Sequence, residues 1–269
     1  MTNLWIAGLG VQTVSQVTRE VEQAIRTARE VLYLDTGVAT RSYLEALCPW
    51  VTPLYEESYS EGAARVGAYE HMAARVVDAA LDHPPVVFAI HGHPLVAAHP
   101  PVLVLELAKA LDLRVEVLPG ISAIDGIFAA LRVDPVVHGV QMYEATDLLL
   151  RRRPVQPEVP AIIWQIGVLE TCLHSARVSR PERCARFIAH LRQYYPARHE
   201  VVAIFCPPHP LLQPAILRFA LEDMGRHVHQ IHAGFTLYVP PAGSRAVLDY
   251  DLLEKMYSPD HLRNIVIES

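Results

Sequence analysis

The sequence has few charged residues and lacks any long apolar segment. Charged residues make up only 19% of the 269 positions, and the net charge is −6. This balance does not favour non-specific binding to nucleic acid. A membrane-spanning helix needs roughly 20 consecutive apolar residues, and no such span occurs. We therefore expect neither nucleic acid nor a membrane among the partners of this protein.

Cysteine is also scarce, and its spacing excludes several kinds of site. The four cysteines are far apart, and none forms a C-x-x-C pair, at Cys48, Cys172, Cys184 and Cys206. Zinc ribbons and thioredoxin-type centres are thereby excluded. The first residues, "MTNLWIAGLG", have neither the basic leader nor the cleavage site of a signal peptide. We expect a cytoplasmic protein with reduced thiols.

Apolar segments and helical patterns alternate regularly in the first half of the chain. This order predicts an α/β fold with a mostly parallel sheet that is covered on both faces. Within it, Ser15 is the expected N-cap of the first helix, and residues 61–82 are expected to form one long helix. The rhythm changes near residues 132–139, which predicts an N-terminal α/β lobe over 1–133 and a C-terminal mixed α/β lobe over 134–269.

The second lobe has a weaker pattern. Four segments are expected to be strands, including "GVQMYEATDLLL" at residues 139–150 and "HEVVAIFCPP" at 199–208. A helix is expected for "QPAILRFALEDM" at residues 213–224.

Three histidines follow one apolar strand, in the segment "VVFAIHGHPLVAAHPP" at residues 86–101. A metal site would need a rigid arrangement and nearby carboxylate or cysteine ligands, but this segment contains no acidic residue. Solvated histidines in a loop, or a loop that binds a cofactor, are the alternatives. Glycine turns also follow strands at residues 8–10 and 119–122, where a backbone can approach a small molecule.

A set of motifs in fixed order resembles a known family. "HGHPLVAAHPP", "PGISAIDGIFAALRVDP", "GVQMYEATDLLLRRRP" and "IIWQIG" together are similar to motifs of the tetrapyrrole-methylase fold family, the class III S-adenosylmethionine-dependent methyltransferases. More narrowly, the chain resembles the borosin-type peptide backbone N-methyltransferases. The resemblance extends over nearly the whole chain and implies a two-lobed fold with the cofactor between the lobes.

The resemblance also implies a cofactor, S-adenosyl-L-methionine, with S-adenosyl-L-homocysteine as product, and a homodimer. It implies no metal. The positions that match the cofactor-binding motifs are Gly92, His93, Pro94, Val96, Ala97, Ser122, Ala123, Gln165 and Thr236.

The same resemblance implies a catalytic set within "YSEGAARVGAY", with Tyr59, Arg65 and Tyr69 matching a tyrosine–arginine–tyrosine constellation. A peptide nitrogen is a poor nucleophile because its lone pair is delocalised, so its proton must be removed and the developing oxyanion stabilised. A guanidinium can hold that oxyanion and lower the pKa of a neighbouring tyrosine. From spacing alone, a surface pair on one helix face is the favoured interpretation of Arg65 and Tyr69, and only the resemblance reverses this.

Two positions depart from the family pattern. His91 stands where a tyrosine is usual, and Leu95 stands where a glycine is usual. Histidine can donate a hydrogen bond and titrates near neutral pH, so His91 is a catalytic candidate. Leucine does not readily adopt a positive φ, so the loop is expected to have a different shape.

Fused members of the resembled group carry their substrate as a C-terminal extension. This sequence ends with "DLLEKMYSPDHLRNIVIES", from which we expect a split enzyme that methylates a separate precursor peptide in trans, with a heterotetramer as one possible assembly. Arg151, Arg152 and Arg153 fit either an acidic partner or a solvated turn. A tetrapyrrole-type small-molecule methyltransferase, or a peptide-binding homologue without catalysis, are the alternative functions.

Overall fold

The structure is a computed structural model that describes residues 2–37, 39–175, 177 and 179–267. Within these described residues, ten strands form two sheets: β1 Leu4–Gly8, β2 Glu30–Leu34, β3 Val51–Pro53, β4 Val86–Ile90, β5 Val115–Leu118, β6 Gln141–Glu144, β7 Ala161–Trp164, β8 Glu200–Phe205, β9 Ala215–Ala220 and β10 Thr236–Val239. The helices are α1 Arg19–Thr27, α2 Thr40–Glu45, α3 Tyr55–Ser58, α4 Arg65–Asp82, α5 Pro100–Ala110, α6 Ala123–Leu131, α7 Pro135–His138, α8 Ala145–Leu150, α9 Ala185–Leu191, α10 Met224–His227, α11 Tyr250–Lys255 and α12 Pro259–Ile265.

The first sheet is entirely parallel, in the order β3-β2-β4-β1-β5. Every residue of β4 is buried, as expected for a central strand covered on both faces. Phe88 packs with residues of α4 on one face, whereas Val87 packs with residues of α1 on the other. The predicted α/β class is confirmed.

The second sheet is mixed, in the order β6-β7-β10-β8-β9, and only β6 and β7 run parallel. Residues of α8 and α9 pack against one face of it. On the opposite face, Phe128 and Leu131 of α6 pack against Ile162, Val202 and Tyr238. Helix α6 follows β5 of the first sheet in sequence and packs against the second sheet. It therefore connects the two sheets.

Four sequence expectations about local structure are wrong. Residues 215–220 of the expected helix form edge strand β9, since they pair with β8. Only the first part of "GVQMYEATDLLL" is a strand, and the rest is α8, whose N-cap is Glu144. Thr18, rather than Ser15, caps α1. Helix α4 begins at Arg65, because residues 62–64 pair with the segment near His174 instead.

The expected division at residues 1–133 and 134–269 remains a prediction. The connection between α6 and β6 contains the short α7. Within the described residues, none of the helices is both long and apolar enough to cross a membrane.

Candidate active site between the two sheets

The three glycine turns converge at the carboxyl edge of the first sheet. Gly10 and Gly92 exchange backbone hydrogen bonds of 3.2 and 2.9 Å. A Cβ atom on Gly120 would lie 2.4 Å from the Gly92 carbonyl oxygen, and one on Gly8 would lie 2.6 Å from the same oxygen. Side chains at Gly8 and Gly120 would therefore force these turns apart.

A cavity of about 250 Å³ lies between these turns and the second sheet. Eight of the nine predicted cofactor residues line it: Gly92, His93, Val96, Ala97, Ser122, Ala123, Gln165 and Thr236. Pro94 is not among its lining residues, although it lies within the same loop. The structure thus brings together positions more than 140 residues apart in sequence, and their role in binding a cofactor remains a prediction.

Sequence reasoning missed much of the opposite wall of this cavity. Ile204, Phe205 and Cys206 lie at and just after the end of β8, and Phe235 lies just before β10. Aromatic residues give this wall an apolar surface. Their positions beside the glycine turns depend on the contact between α6 and the second sheet, which no local sequence pattern reveals.

The loop after β4 is shaped by two residues with positive φ, Gly92 at 72° and Ala97 at 53°. Leu95 does not have a positive φ, and its side chain is 46% exposed. The His93 Nδ1 accepts a hydrogen bond of 3.1 Å from the Leu95 backbone N–H. The three histidines of the segment have separate neighbours, since His91 faces Asp35 and His99 packs at its edge against Tyr69.

Asp35 holds His91 at the end of the sheet. Leu34 and Ile90 pair in register, so the next residue of each strand, Asp35 and His91, also lie side by side. The His91 Nδ1 is 3.3 Å from the Asp35 Oδ1, and the Asp35 side chain is only 2% exposed. Hydroxyls of Thr13 and Thr40 donate hydrogen bonds of 2.8 and 2.7 Å to the other carboxylate oxygen.

These contacts determine the ionisation of Asp35. Burial alone would raise its pKa, but the hydrogen bond and charge of His91, together with the threonine hydroxyls, lower the pKa from 3.8 to about 2. Asp35 is therefore a carboxylate at neutral pH. Asp35 orients the His91 ring so that Nδ1 faces the Asp35 carboxylate.

A second cavity, of about 340 Å³, adjoins the first. Tyr59, Arg65 and Tyr69 line it together with His91, so the structure brings the four predicted catalytic residues to one place. The expectation that Arg65 and Tyr69 share a helix face is confirmed. The two cavities have residues in common, among them His91, Ala97 and Gln165.

Arg65 connects this second cavity to the segment that follows β7 of the second sheet. Its Nη1 donates a 3.1 Å hydrogen bond to the Gln165 side-chain oxygen, and its Nη2 donates a 2.8 Å hydrogen bond to the Thr171 carbonyl. Gln165 has a φ of 61° and a ψ of 32°, a left-handed conformation that is costly for a side chain with a Cβ. This conformation places Gln165 on both cavities.

Tyr59 has an aromatic and largely dehydrated environment. Its ring stacks on His174 with a centroid separation of 4.7 Å and meets Tyr69 edge-on at 6.3 Å. Burial, followed by the proximity of Tyr69 and Tyr55, raises the pKa of Tyr59 far above its ordinary value of 10.0, and Arg65 only partly opposes this. Arg65 thus lowers the pKa of Tyr59 in the expected direction, but burial outweighs its effect, so Tyr59 stays a protonated donor. His174 is a neighbour that sequence reasoning missed.

Comparison with known proteins agrees with this architecture. The family of tetrapyrrole (corrin/porphyrin) methylases matches residues 3–205, and the chain belongs to this family. Among solved structures, the methyltransferase CobJ superimposes with a TM-score of 0.64 at 18% identity, covering 92% of this chain and 98% of that one. Uroporphyrin-III-C-methyltransferase from Thermus thermophilus gives a TM-score of 0.63 at 15% identity, with 88% and 91% covered. At such identities these structures show the shared fold.

Relatives of higher identity are fusion proteins. The methyltransferase/ribosomally synthesized cyclic peptide gymnopeptides precursor gymMA1 of Gymnopus fusipes is 30% identical over 241 residues, which cover 89% of this chain and 57% of that protein. The type I borosin cyclic peptide precursor sveMA of Serendipita vermifera subsp. bescii, also a methyltransferase fusion, is 28% identical, with 96% and 63% covered. The chain thus spans about three-fifths of the length of these relatives.

Proposed function

We propose that this protein is an S-adenosylmethionine-dependent α-N-methyltransferase that methylates backbone amides of a separate, ribosomally made peptide. One observation carries the proposal. A cavity edged by glycine turns adjoins a second cavity that is lined by Tyr59, Arg65, Tyr69 and His91. His91 and Gln165 line both cavities. The relatives support a peptide as substrate, since their names describe a methyltransferase joined to a cyclic-peptide precursor.

The residues of the first cavity fit the proposed cofactor. Gly92 has no neighbouring atom within 4 Å of the place where a Cβ would project, so its backbone faces open space in the cavity wall. The glycine turns leave backbone groups accessible to polar atoms, and the Phe205 and Phe235 side offers apolar contact to an adenine ring. Bound there, S-adenosylmethionine supplies an electrophilic methyl group on a sulfonium, and its product is S-adenosylhomocysteine.

The second cavity has the groups that activation of an amide requires. The protonated Tyr59 hydroxyl and the Arg65 guanidinium are donors for the peptide oxygen, which gains negative charge as the nitrogen is methylated. Asp35 orients His91 through Nδ1, which leaves Nε2 free to accept the amide proton. Tyr69, on the same helix face as Arg65, positions the peptide between them. His91 thus takes the place of the usual tyrosine.

Partners and assembly are part of the same proposal. We take the peptide to be a separate chain rather than a fused segment, the enzyme to be a cytoplasmic homodimer, and a heterotetramer to form with the precursor. Sedimentation of the protein alone and with peptide measures both assemblies. A monomer in both conditions would contradict the assembly without affecting the chemistry.

The test of function has two separate readouts. Titration calorimetry with S-adenosylhomocysteine measures cofactor binding to the purified chain. Co-expression with candidate precursor peptides, followed by fragmentation mass spectrometry, detects methyl groups of about 14 Da and locates them on backbone nitrogens. Cofactor binding with backbone methylation on a separate peptide is the expected result.

Other outcomes point to the alternatives. Cofactor binding without methylation of any peptide would contradict the peptide substrate and favour a small-molecule methyltransferase, for which the solved structures of similar fold provide candidate substrates to try. Failure to bind S-adenosylhomocysteine would contradict the proposed enzymatic function and favour a peptide-binding homologue without catalysis.

Replacement of Tyr69 by phenylalanine tests the catalytic assignment. It removes one hydroxyl but keeps the ring contacts with Tyr59 and His99. We expect the methylation rate to fall about 100-fold, the scale for a misplaced substrate, while affinity for S-adenosylhomocysteine changes less than twofold. An unchanged rate would remove Tyr69 from the mechanism.

A further inference from the structure

A surface groove of about 820 Å³ lies between α8, α9 and residues 170–172. It is larger than either cavity of the candidate active site. No side chain that lines the groove takes part in the cofactor binding or the methylation step described above. The groove is partly open to solvent.

Positive charge predominates among the side chains that line this groove. Arg152, Arg186 and one carboxylate, Glu170, line it, and Glu170 lies 3.8 Å from the Arg186 guanidinium. Arg186 is 84% exposed, and among the described residues Arg152 has no ion-pair partner. The adjacent Arg151 and Arg153 differ, since both pair with Asp147 at 2.6 Å. In a chain of net charge −6, this local excess of positive charge favours an anionic ligand.

Apolar side chains lie between these charges. Leu149, Leu150 and Ala189 line the groove, and Leu150 is 77% exposed. An inorganic anion or a nucleic-acid backbone would leave these leucines uncovered. A peptide that alternates carboxylates with apolar side chains would use both features.

The groove adjoins the candidate active site. Cys172 lines both the groove and a cavity of about 570 Å³ that contains Arg65 and Tyr69. The Thr171 and Cys172 carbonyls accept hydrogen bonds from the Arg65 side chain and backbone at 2.8 and 2.9 Å. Residues 171–172 therefore form a thin wall between Arg65 and the groove, so one extended chain can reach both places.

We propose that the groove binds an acidic, leucine-rich segment of the substrate peptide, outside the residues that are methylated. The proposal rests on the peptide substrate inferred above and assigns a second contact to it. Arg152 and Arg186 pair with the peptide carboxylates, and Leu149 and Leu150 cover its apolar side chains. Such a contact tethers the peptide and raises its local concentration at the active site.

The experiment uses a fluorescein-labelled peptide that alternates glutamate and leucine, and a matched peptide with glutamine in place of glutamate. Fluorescence anisotropy measures their binding to the full chain and to Arg152→Glu and Arg186→Glu. The control is Arg198→Glu, which reverses an equally exposed charge at a residue that lines neither the groove nor the cavities described. S-adenosylhomocysteine titration of each variant verifies that the candidate active site is intact.

We expect each groove variant to weaken binding of the acidic peptide about tenfold, as for loss of a charge pair at a partly exposed contact, and the control to weaken it less than twofold. The glutamine peptide should bind weakly to all proteins, and added salt should reduce the difference. Equal losses in the control, or equal binding of a fluorescein-labelled oligonucleotide, would overturn the proposal. Methylation of a peptide with an unchanged KM in both groove variants would overturn it while leaving the proposed function in place.

Discussion

The two cavities of the candidate active site are lined by different kinds of chemical group. The first is edged by backbone turns and apolar side chains, with Gly92 and Phe205 on opposite sides. The second is lined by side chains with ionisable or aromatic groups, led by Tyr59 and Arg65. Backbone turns provide a surface whose shape side-chain motion does not change, whereas ionisable side chains provide charge and protons.

This difference separates two tasks within one fold. Cofactor affinity should depend on the close approach of the glycine turns, and the rate of methyl transfer should depend on the side chains of α3, α4 and the loop after β4. The residues common to both cavities, among them His91 and Gln165, contribute to both tasks. Variants in the first cavity should change cofactor affinity but not the rate of methyl transfer. Variants in the second cavity should change that rate but not cofactor affinity.

The largest effect is expected at Arg65. Replacement by methionine removes the donors to Gln165 and Thr171 and the positive charge beside Tyr59. We expect the methylation rate to fall about 100- to 1000-fold, the scale for loss of an oxyanion donor, with S-adenosylhomocysteine affinity within threefold. Rate assays and calorimetry measure the two quantities.

Arg75→Met is the matched control for Arg65. Arg75 lies on the same helix, α4, and is exposed to solvent. We expect its replacement to change neither quantity by more than twofold. Equal losses of rate and affinity in Arg65→Met would abolish the proposed division between the two cavities.

A variant at Gly120 tests whether the close approach of the glycine turns determines cofactor binding in the first cavity. In Gly120→Ala, the added Cβ would meet the Gly92 carbonyl at 2.4 Å and Gly8 at 2.7 Å. Overpacking of this kind costs about 1–3 kcal/mol of unfolding free energy, and the displaced turns should weaken S-adenosylhomocysteine binding at least tenfold. Chemical denaturation and calorimetry provide the measurements.

Gly67→Ala is the contrasting glycine variant. Gly67 lies within α4, and nothing lies within 4 Å of the place where its Cβ would be. Alanine should stabilise the helix by about 0.5–1 kcal/mol. If Gly120→Ala behaved like Gly67→Ala, the convergence of the glycine turns would have no importance for the site.

Much of this arrangement could be predicted, and the exceptions have a common cause. The glycine turns and the Arg65–Tyr69 pair follow from local sequence, because turn chemistry and helical spacing are local properties. The Asp35–His91 contact does not, since the two residues are 56 positions apart and become neighbours only through the pairing of β2 with β4. The same reasoning explains the unforeseen stacking of His174 on Tyr59.

The prediction of a helix where strand β9 lies is an instructive error in the second sheet. "AILRFA" is apolar enough to be compatible with a helix, but Leu217 and Phe219 are more buried than their neighbours, which is the period-two pattern of an edge strand. The six-residue segment is too short for periodicity alone to separate the two possibilities. Pairing with β8 decides the matter.

An intermediate effect is expected at Asp35, which supports a residue common to both cavities. Its folded-state pKa of about 2 lies below the ordinary value of 3.8, so the carboxylate stabilises the fold above pH 4. The difference is about 2 kcal/mol of unfolding free energy, and it is lost as the pH falls from about 4 to about 2.

Asp35→Asn should therefore reduce stability by about 2 kcal/mol at pH 6, with the gap to the unmodified protein closing near pH 2. Urea denaturation across this range measures it. Methyl transfer should also decrease, because His91 loses the group that orients its ring. A gap that is independent of pH would mean that ionisation of Asp35 does not contribute.

The smallest effect is expected at Leu95, the position at which the sequence departs from the usual glycine. The positive φ values of this loop belong to Gly92 and Ala97, and Leu95 is nearly half exposed. Leu95→Gly would thus remove little contact and relieve no backbone strain, so we expect S-adenosylhomocysteine affinity to change less than twofold and stability to fall by less than about 1 kcal/mol. A gain of tenfold or more in affinity would show that leucine distorts the cofactor loop, and that Leu95, rather than the glycine turns, limits binding in the first cavity.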